Sequence, residues 1–134
     1  MEQETINIMI KKVITTEKAP TAIGPYSQAI LVGNTLYCSG QIAIVPETGN
    51  LITHSINEET HQVMKNISNV LKAANMDFSN VVKSSIFIRN MNQYAEINQV
   101  YDSYFNNNPP AREAVEVSAL PMDTNIEISV IAVK

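Results

Sequence analysis

The sequence predicts one α+β domain, in which two helices lie on one face of a mixed sheet of about six strands. Short β-prone runs bounded by glycine, proline or asparagine occur before, between and after two stretches with apolar residues at helical spacing. Along the chain the elements follow the order β-β-β-α-β-α-β-β. Two helices are enough to cover one sheet face, so the other face has to meet water or another subunit.

Three strands are predicted in the first part of the chain: a short β-prone run at residues 13–16, within the segment 11–16, and strands at 28–32 and 35–41. Gly33-Asn34, between the second and the third, is the two-residue signal of a β-hairpin. Gly40 lies inside the third predicted strand and weakens it, unless some group has to approach the backbone closely at that point.

The longer helix is predicted at residues 56–74. Ser55 and Glu58 fit a capping box at its start, and Asn75 suits the left-handed residue that ends many helices. Apolar residues follow one helical face, at Val63, Met64, Ile67, Val70, Leu71 and Ala74.

The second half of the chain predicts a strand at residues 81–89, a helix at 92–105 and strands at 113–118 and 125–133. Asn92 is the predicted N-cap of that helix, and the tyrosines along one face of the helix are interpreted as core. The last strand has apolar residues on both sides near its end. This pattern favours burial on both faces and therefore an oligomer.

Composition narrows the class of protein. The chain has 134 residues, 16% of them charged, and a net charge of −4, which gives no basic footprint for nucleic acid. Cys38 is the only cysteine, so no internal disulfide can form, and a reducing, cytoplasmic location is expected. No apolar run approaches the length of a membrane span. Residues 1–8 lack the features of a signal peptide and are expected to be a flexible extension before a domain at residues 9–134.

Arg112 is the most distinctive candidate for binding a ligand. Pro109 and Pro110 hold the backbone before Arg112 in an extended conformation. The only other arginine in the sequence is Arg89. A rigid turn that delivers an arginine to the start of a strand can hold an anion, because the planar guanidinium matches a carboxylate. The alternative is an ordinary surface arginine at a strand end.

The common catalytic motifs are missing from the sequence. It contains no P-loop, no GxGxxG and no GxSxG. His54 and His61 are interpreted as surface residues, so no metal site is predicted. Cys38 is interpreted as a core thiol, although a Cys–His nucleophile pair stays open as an alternative.

Several segments taken together resemble one family. They include Ile23-Gly24-Pro25-Tyr26-Ser27-Gln28, Cys38-Ser39-Gly40-Gln41, Pro110-Ala111-Arg112, Val115-Glu116-Val117, Ala119-Leu120-Pro121 and Ile126-Glu127-Ile128. In order and spacing, the chain from about Met9 onward is similar to the RidA (YjgF-like) family of reactive-intermediate deaminases.

This resemblance implies a chorismate-mutase-like fold and a homotrimer whose ligand clefts lie between subunits. It also implies hydrolysis of small 2-imino acids and their enamine tautomers, such as 2-iminobutanoate and 2-aminoacrylate, to 2-oxo acids and ammonia. No cofactor or metal is implied, and neither nucleic acid nor membrane is expected as a partner.

The resemblance also assigns roles to residues. Arg112 would bind the substrate carboxylate, and Tyr26 would line the cleft and offer a hydroxyl. Ser39 and Gly40 match a Ser-Gly pair on the cleft wall, and Asn92 matches an asparagine near the bound acid.

Two positions depart from the family pattern. Ala114 stands where many members have cysteine, and its backbone amide is expected to be the useful group. Ser129 stands where a glutamate that orients the attacking water is expected, and serine cannot act as a general base near neutral pH. Glu127, on the same side of the strand, or Glu116 could substitute for it.

Two other functions remain open at this point. Ser129 favours a non-catalytic protein that binds small carboxylates or regulates in response to them. A partner-binding or chaperone-like protein is the third possibility, and its action would not depend on Arg112.

Overall fold

The computed structural model describes residues 10–134, so the expected flexible extension at residues 1–8 lies outside the described part of the chain. Six strands and two α-helices follow the predicted order, and this confirms the α+β class. The elements are β1 Lys11–Ile14, β2 Ala29–Val32, β3 Thr35–Cys38, α1 Ile56–Ala73, β4 Val81–Ile88, α2 Tyr94–Asp102, β5 Ala111–Glu116 and β6 Ile126–Val133.

The six strands form one mixed sheet in the order β1-β2-β3-β6-β4-β5. Only β4 and β5 run parallel, because α2 carries the chain between them as a crossover; the other neighbouring pairs are antiparallel. The C-terminal strand β6 therefore lies in the interior of the sheet, and β5, which carries Arg112, forms one edge.

Helix α1 agrees with its prediction in start, buried face and end. The Ser55 side chain accepts a hydrogen bond from the Glu58 backbone N–H at 3.1 Å, and Asn75 has the left-handed φ of 59°. The predicted apolar stripe is buried along its whole length. No helix of the described residues is long and apolar enough to cross a membrane.

The predicted start of the second helix is wrong. Asn90, not Asn92, provides the cap: its side chain accepts the Asn92 backbone N–H at 3.0 Å. A 3₁₀ turn at Met91–Gln93 follows, and the α-helix runs only from Tyr94 to Asp102, short of residue 105. The sequence offers an asparagine at both positions, and only the fold decides which one meets the free N–H groups.

The second and third strands are shorter than predicted. Strand β2 begins at Ala29 and β3 ends at Cys38, although the Ser39 N–H still donates to the Gln28 carbonyl at 2.9 Å. Beyond β3, Gln41 forms only an isolated bridge with Ile128. Gly40 therefore lies just outside the strand, at the point where the chain leaves the sheet.

The helices cover one face of the sheet. Leu36, Ile86, Ile126 and Ile128 are fully buried there together with the apolar stripe of α1. The other face, which we call the open face, has no cover from the described residues and carries large apolar side chains that remain exposed. They include Val13, Tyr37, Val115 and Val133.

Three buried polar side chains fix the loops around the sheet. Gln28 donates to the carbonyls of Thr16, Ala19 and Pro20 and accepts from the Thr16 N–H. Asn66 of α1 donates to the carbonyls of Ile42 and Ile44. Glu59 accepts from both the backbone N–H and the side-chain amide of Asn125, just before β6. Each contact satisfies loop groups that would otherwise be buried without partners.

Replacing Gln28 with glutamate is expected to lower the free energy of unfolding by about 2–3 kcal/mol at neutral pH. The change keeps the shape but replaces the donor amide with a carboxylate oxygen that faces three carbonyls. Urea unfolding at fixed protein concentration measures the effect. The exposed Gln99→Glu is the matched control and should change stability by less than about 0.5 kcal/mol. Equal stability of the two variants would contradict this role for Gln28.

Candidate active site

Arg112 is the second residue of the edge strand β5, which begins at Ala111, two residues before the predicted start of this strand at residue 113. Its register partner on β4 is Ser84, which is fully buried on the helix-covered face. The half-buried guanidinium lies against α2. There, Nη1 donates to Oδ1 of Asn98 at 2.7 Å, and Nη2 donates to the hydroxyl of Tyr94 at 2.6 Å.

Two aromatic rings complete the surroundings of this guanidinium. Its carbon lies 5.6 Å from the ring centre of Tyr94 and 5.1 Å from that of Tyr101, in cation–π range. The Tyr101 hydroxyl donates to Oγ of Ser84 at 2.8 Å, and burial raises the pKa of Tyr101, so this hydroxyl stays neutral. We call Arg112 with Tyr94, Asn98 and Tyr101 the arginine cluster.

The positive charge of the arginine cluster has no carboxylate partner within the described residues. The ion pairs found in residues 10–134 join His54 to Glu58, Lys83 to Glu113 and Arg89 to Asp123. Arg112 is held only by neutral acceptors, and its N–H groups outnumber these acceptors. The cluster therefore holds a cation that is ready to bind an anion.

A second group of candidate residues lies in a cleft of about 240 Å³ beside the end of β3 and the start of β6. The lining is mostly apolar, with a few polar side chains and one carboxylate. It comprises Pro20, Thr21, Ile23, Tyr26, Gln28, Gly40, Gln41, Ile42, Ile44, Pro121, Met122 and Glu127. We call it the Glu127 cleft.

Glu127 lies directly across Gly40. A Cβ atom at position 40 would be 2.8 Å from Cδ of Glu127, closer than real Cβ contacts allow. The close approach that the sequence predicted at Gly40 is thus made, within the chain, by this carboxylate. Burial raises the pKa of Glu127 above its usual range, so the group can exchange a proton closer to neutral pH.

Tyr26 stands at the mouth of the Glu127 cleft and is about half exposed. Its hydroxyl accepts the Ile23 backbone N–H at 3.3 Å, and the hydroxyl proton can therefore still be donated. Ser39 is not one of the lining residues: its hydroxyl donates to the carbonyl of Ser27 at 2.5 Å. Ser39 thus holds the chain segments that carry Tyr26 and Gly40 side by side.

The sequence analysis missed the apolar rim formed by Met122. Met122 and Asp123 have left-handed φ values of 55° and 57°, a backbone conformation that residues other than glycine rarely adopt. Arg89 pairs with the Asp123 carboxylate at 2.5 Å and helps to hold this turn. The turn presents Met122 to the Glu127 cleft.

A single chain does not bring the arginine cluster and the Glu127 cleft together. Arg112 and Glu127 lie on either side of β4, two inter-strand spacings and three residues apart, so their Cα atoms are about 14 Å from each other. Arg112 also points to the helices, whereas Glu127, next to buried Ile126 and Ile128, points to the open face. Tyr26 and Gly40 accompany Glu127, on the side away from Arg112.

The remaining predicted site residues lie in neither the arginine cluster nor the Glu127 cleft. Asn92 is exposed; the asparagine that contacts Arg112 is Asn98, which the sequence analysis missed. The signal was present, because Tyr94, Asn98 and Tyr101 follow the i, i+4, i+7 spacing of one helical face. Ala114 lies two residues beyond Arg112 on the same side of β5, half-buried against the core.

The structure distinguishes Ser129 from Glu127 and Glu116, the two glutamates that could substitute for it. Ser129 shares the face of Glu127 but does not line the cleft. Glu116 accepts the Met91 backbone N–H at 2.8 Å and is likewise absent from the cleft lining. Of these three residues, only Glu127 faces Tyr26 and Gly40 across the same space.

The cysteine and the histidines are used elsewhere. Cys38 is buried, and burial raises its pKa to about 12, so the thiol stays protonated as expected for a core residue. His54 is exposed beside Glu58, as predicted, but His61 is half-buried with Nδ1 2.7 Å from the Tyr104 hydroxyl. Within residues 10–134, no three His, Cys, Asp or Glu side chains are grouped as metal ligands.

Comparison with known proteins gives concordant matches along the chain. The family model described as Endoribonuclease L-PSP matches residues 16–134. A rat protein named 2-iminobutanoate/2-iminopropanoate deaminase is 48% identical over 94% of this chain and 92% of its own length.

Solved structures agree in fold as well as in sequence. A Rid family protein of Yersinia pestis is 49% identical, with a TM-score of 0.91 over 93% of this chain and 100% of its own. The TdcF protein of E. coli, solved with bound serine, is 35% identical, with a TM-score of 0.88 over 92% and 98% of the two chains. On this evidence, the chain belongs to the RidA (YjgF-like) family.

Proposed function

We propose that this protein hydrolyses small 2-imino acids and their enamine tautomers to 2-oxo acids and ammonia. The observation that carries the proposal is a pair of groups: an arginine that pairs with no carboxylate of residues 10–134, and a half-buried carboxylate with a raised pKa. Hydrolysis of an imino acid needs both groups: the arginine binds the substrate carboxylate, while the carboxylate of the protein activates a water beside the C=N carbon. Close relatives named 2-iminobutanoate/2-iminopropanoate deaminase support this substrate class.

We further propose that the working site is assembled between subunits of a homotrimer. The arginine cluster and the Glu127 cleft face opposite sides of one sheet, so one chain's Arg112 can reach a substrate in a neighbour's Glu127 cleft but not one in its own. The exposed apolar side chains of the open face also need cover, which neighbouring subunits would supply.

In the binding step, Arg112 holds the substrate carboxylate through its free N–H groups. Asn98 and Tyr94 fix the fork by accepting one N–H each, and the rings of Tyr94 and Tyr101 hold its plane. The C=N carbon is thereby placed in the neighbour's Glu127 cleft. The backbone amide of Ala114 stays a further candidate donor to the carboxylate. Positioning is a large part of catalysis here, since imines already react with water.

In the chemical step, ionised Glu127 takes a proton from water as the water oxygen adds to the imine carbon. The imine nitrogen gains a proton, for which Tyr26 is the proposed donor, and a tetrahedral amino alcohol forms. Protonated Glu127 then gives its proton to the amine, which leaves as ammonia, while the hydroxyl gives its proton back to Tyr26 and becomes the carbonyl of the 2-oxo acid. One imine and one water yield one 2-oxo acid and one ammonia.

This assignment changes the reading of Ser129. The sequence analysis expected the missing glutamate at position 129 to weaken catalysis, and a purely binding function rested on that absence. With Glu127 in the cleft, a carboxylate is available without Ser129, and the reason for a non-catalytic protein loses its force. A cytoplasmic location, independence from cofactors and the absence of a nucleic-acid partner remain predictions from the sequence.

Replacing Arg112 with alanine is expected to reduce kcat/KM by at least about 100-fold, because the substrate carboxylate loses its charged partner. Arg112→Lys should recover only part of the loss, since an ammonium cannot form the planar fork. The assay couples a threonine dehydratase, which releases the imine, to 2-oxobutanoate formation in the presence of a trapping reagent.

The exposed Lys65→Ala is the control for this experiment, since it removes a positive charge from α1 that makes no contact with the arginine cluster. It should leave the rate unchanged. Full activity of Arg112→Ala would exclude Arg112 as the carboxylate ligand.

Glu127→Gln is expected to lower kcat by about 10²–10⁴-fold, the usual contribution of a general base. In the unmodified protein, the rate should fall as pH drops through the pKa of Glu127, because protonation removes the base. Burial raises that pKa, so the fall should occur at a higher pH than for an exposed glutamate. A pH–rate profile measures it, and Glu127→Gln should lose this acidic limb.

Ser129→Glu provides the companion variant. It should keep or raise activity in the unmodified background but should not rescue Glu127→Gln, since position 129 does not line the cleft. Rescue would place the base at position 129 and contradict the role proposed for Glu127.

Gly40→Ala is expected to reduce kcat about tenfold, because its new methyl group would displace the Glu127 carboxylate. Gly40 does not have a positive φ, so no backbone strain is added. Combining this change with Glu127→Gln should cost little beyond Glu127→Gln alone, since both act through one group. Steady-state kinetics of the two single variants and the double variant test this, and additive losses would contradict it.

A further inference from the structure

The Tyr94 hydroxyl touches the guanidinium of Arg112 in a way that leaves its own proton unused. Arg112 Nη2 donates to this hydroxyl at 2.6 Å, so the oxygen acts as the acceptor. Among the contacts of residues 10–134, the Tyr94 hydroxyl donates to no other group. A hydroxyl that accepts a hydrogen bond from a cation is polarised and becomes a better donor itself.

The arrangement of donors around Arg112 fits a carboxylate. The guanidinium has five N–H groups, of which Asn98 and Tyr94 take one each. An ionised carboxylate offers about four lone-pair sites, so a bidentate contact with the arginine leaves sites that need other donors. The Tyr94 hydroxyl lies within one hydrogen bond of the fork, where such a donor is needed.

The second tyrosine of the cluster cannot take this role. Its ring also lies against the guanidinium, but the Tyr101 hydroxyl donates to Oγ of Ser84, and only 3% of the residue is exposed. Tyr94 begins α2 and is only half-buried, beside the edge strand. The two tyrosines thus share one cation but direct their hydroxyl groups to different partners.

We propose that the Tyr94 hydroxyl donates a hydrogen bond to the substrate carboxylate bound at Arg112, an inference that rests on the function proposed above. Tyr94 is then a binding residue that discriminates in favour of carboxylates. The contact exists equally in the ground state and in the transition state, because the carboxylate does not change during hydrolysis. It therefore contributes to KM and leaves kcat unchanged.

The test compares the unmodified protein with Tyr94→Phe, Tyr104→Phe and Arg112→Ala. Titration calorimetry with 2-oxobutanoate gives Kd, and the coupled dehydratase assay gives kcat and KM. For Tyr94→Phe we expect Kd and KM to rise about tenfold, the usual effect of one hydrogen bond to a charged group, with kcat within twofold. Tyr104→Phe removes a hydroxyl that contacts His61, away from Arg112, and should change neither constant.

Two results would overturn the inference. Unchanged Kd in Tyr94→Phe, with binding abolished in Arg112→Ala, would show that the carboxylate does not use the hydroxyl. A lower kcat in Tyr94→Phe at unchanged Kd would mean that Tyr94 only aligns Arg112. An unmodified protein that binds 2-oxobutanoate but hydrolyses no imine would instead overturn the proposed function, and the Kd ratio would still decide the role of Tyr94.

Discussion

Strand β6 lies between β3 and β4 and joins the two halves of the sheet. The first three strands form one antiparallel unit, and β4 with β5 forms a parallel one. Among the described strands, β6 alone pairs with both units, so the sheet is complete only when this strand is in place. Glu59 of α1 fixes its start by holding both amide groups of Asn125.

The same strand decides where the chemistry is placed. Because side chains alternate along β6, burial of Ile126 and Ile128 under the helices forces Glu127 onto the open face. Gly40 leaves room for it where β3 has ended, and burial there raises its pKa. The alternation of side chains along β6 and the missing Cβ atom of Gly40 thus determine the position of the Glu127 carboxylate, and its apolar surroundings raise its pKa.

Keeping Arg112 and Glu127 apart has a physical advantage. Side by side, the two groups would form an ion pair, which would lower the pKa of the carboxylate and occupy the guanidinium. On opposite faces of one sheet, each keeps the property that the proposed reaction needs: a free cation held by neutral acceptors and a carboxylate with a raised pKa. In this proposal, a substrate bound between two subunits contacts Arg112 of one subunit and Glu127 of the other.

Several features of the fold could be predicted from local patterns in the amino-acid sequence. The Ser55 cap and the apolar stripe of α1 follow from spacing and side-chain chemistry within short segments. The order of the elements and the place of Arg112 at the start of a strand follow from the same local patterns. Gly40 was likewise predicted to be closely approached by another group, because a glycine inside a strand pattern is a local signal. The tertiary structure alone decided that Glu127 is the group that approaches it and that Asn98, not Asn92, contacts Arg112. Those contacts join residues far apart in the chain or separated by a turn, and they depend on strand register and helix rotation, which no local pattern encodes.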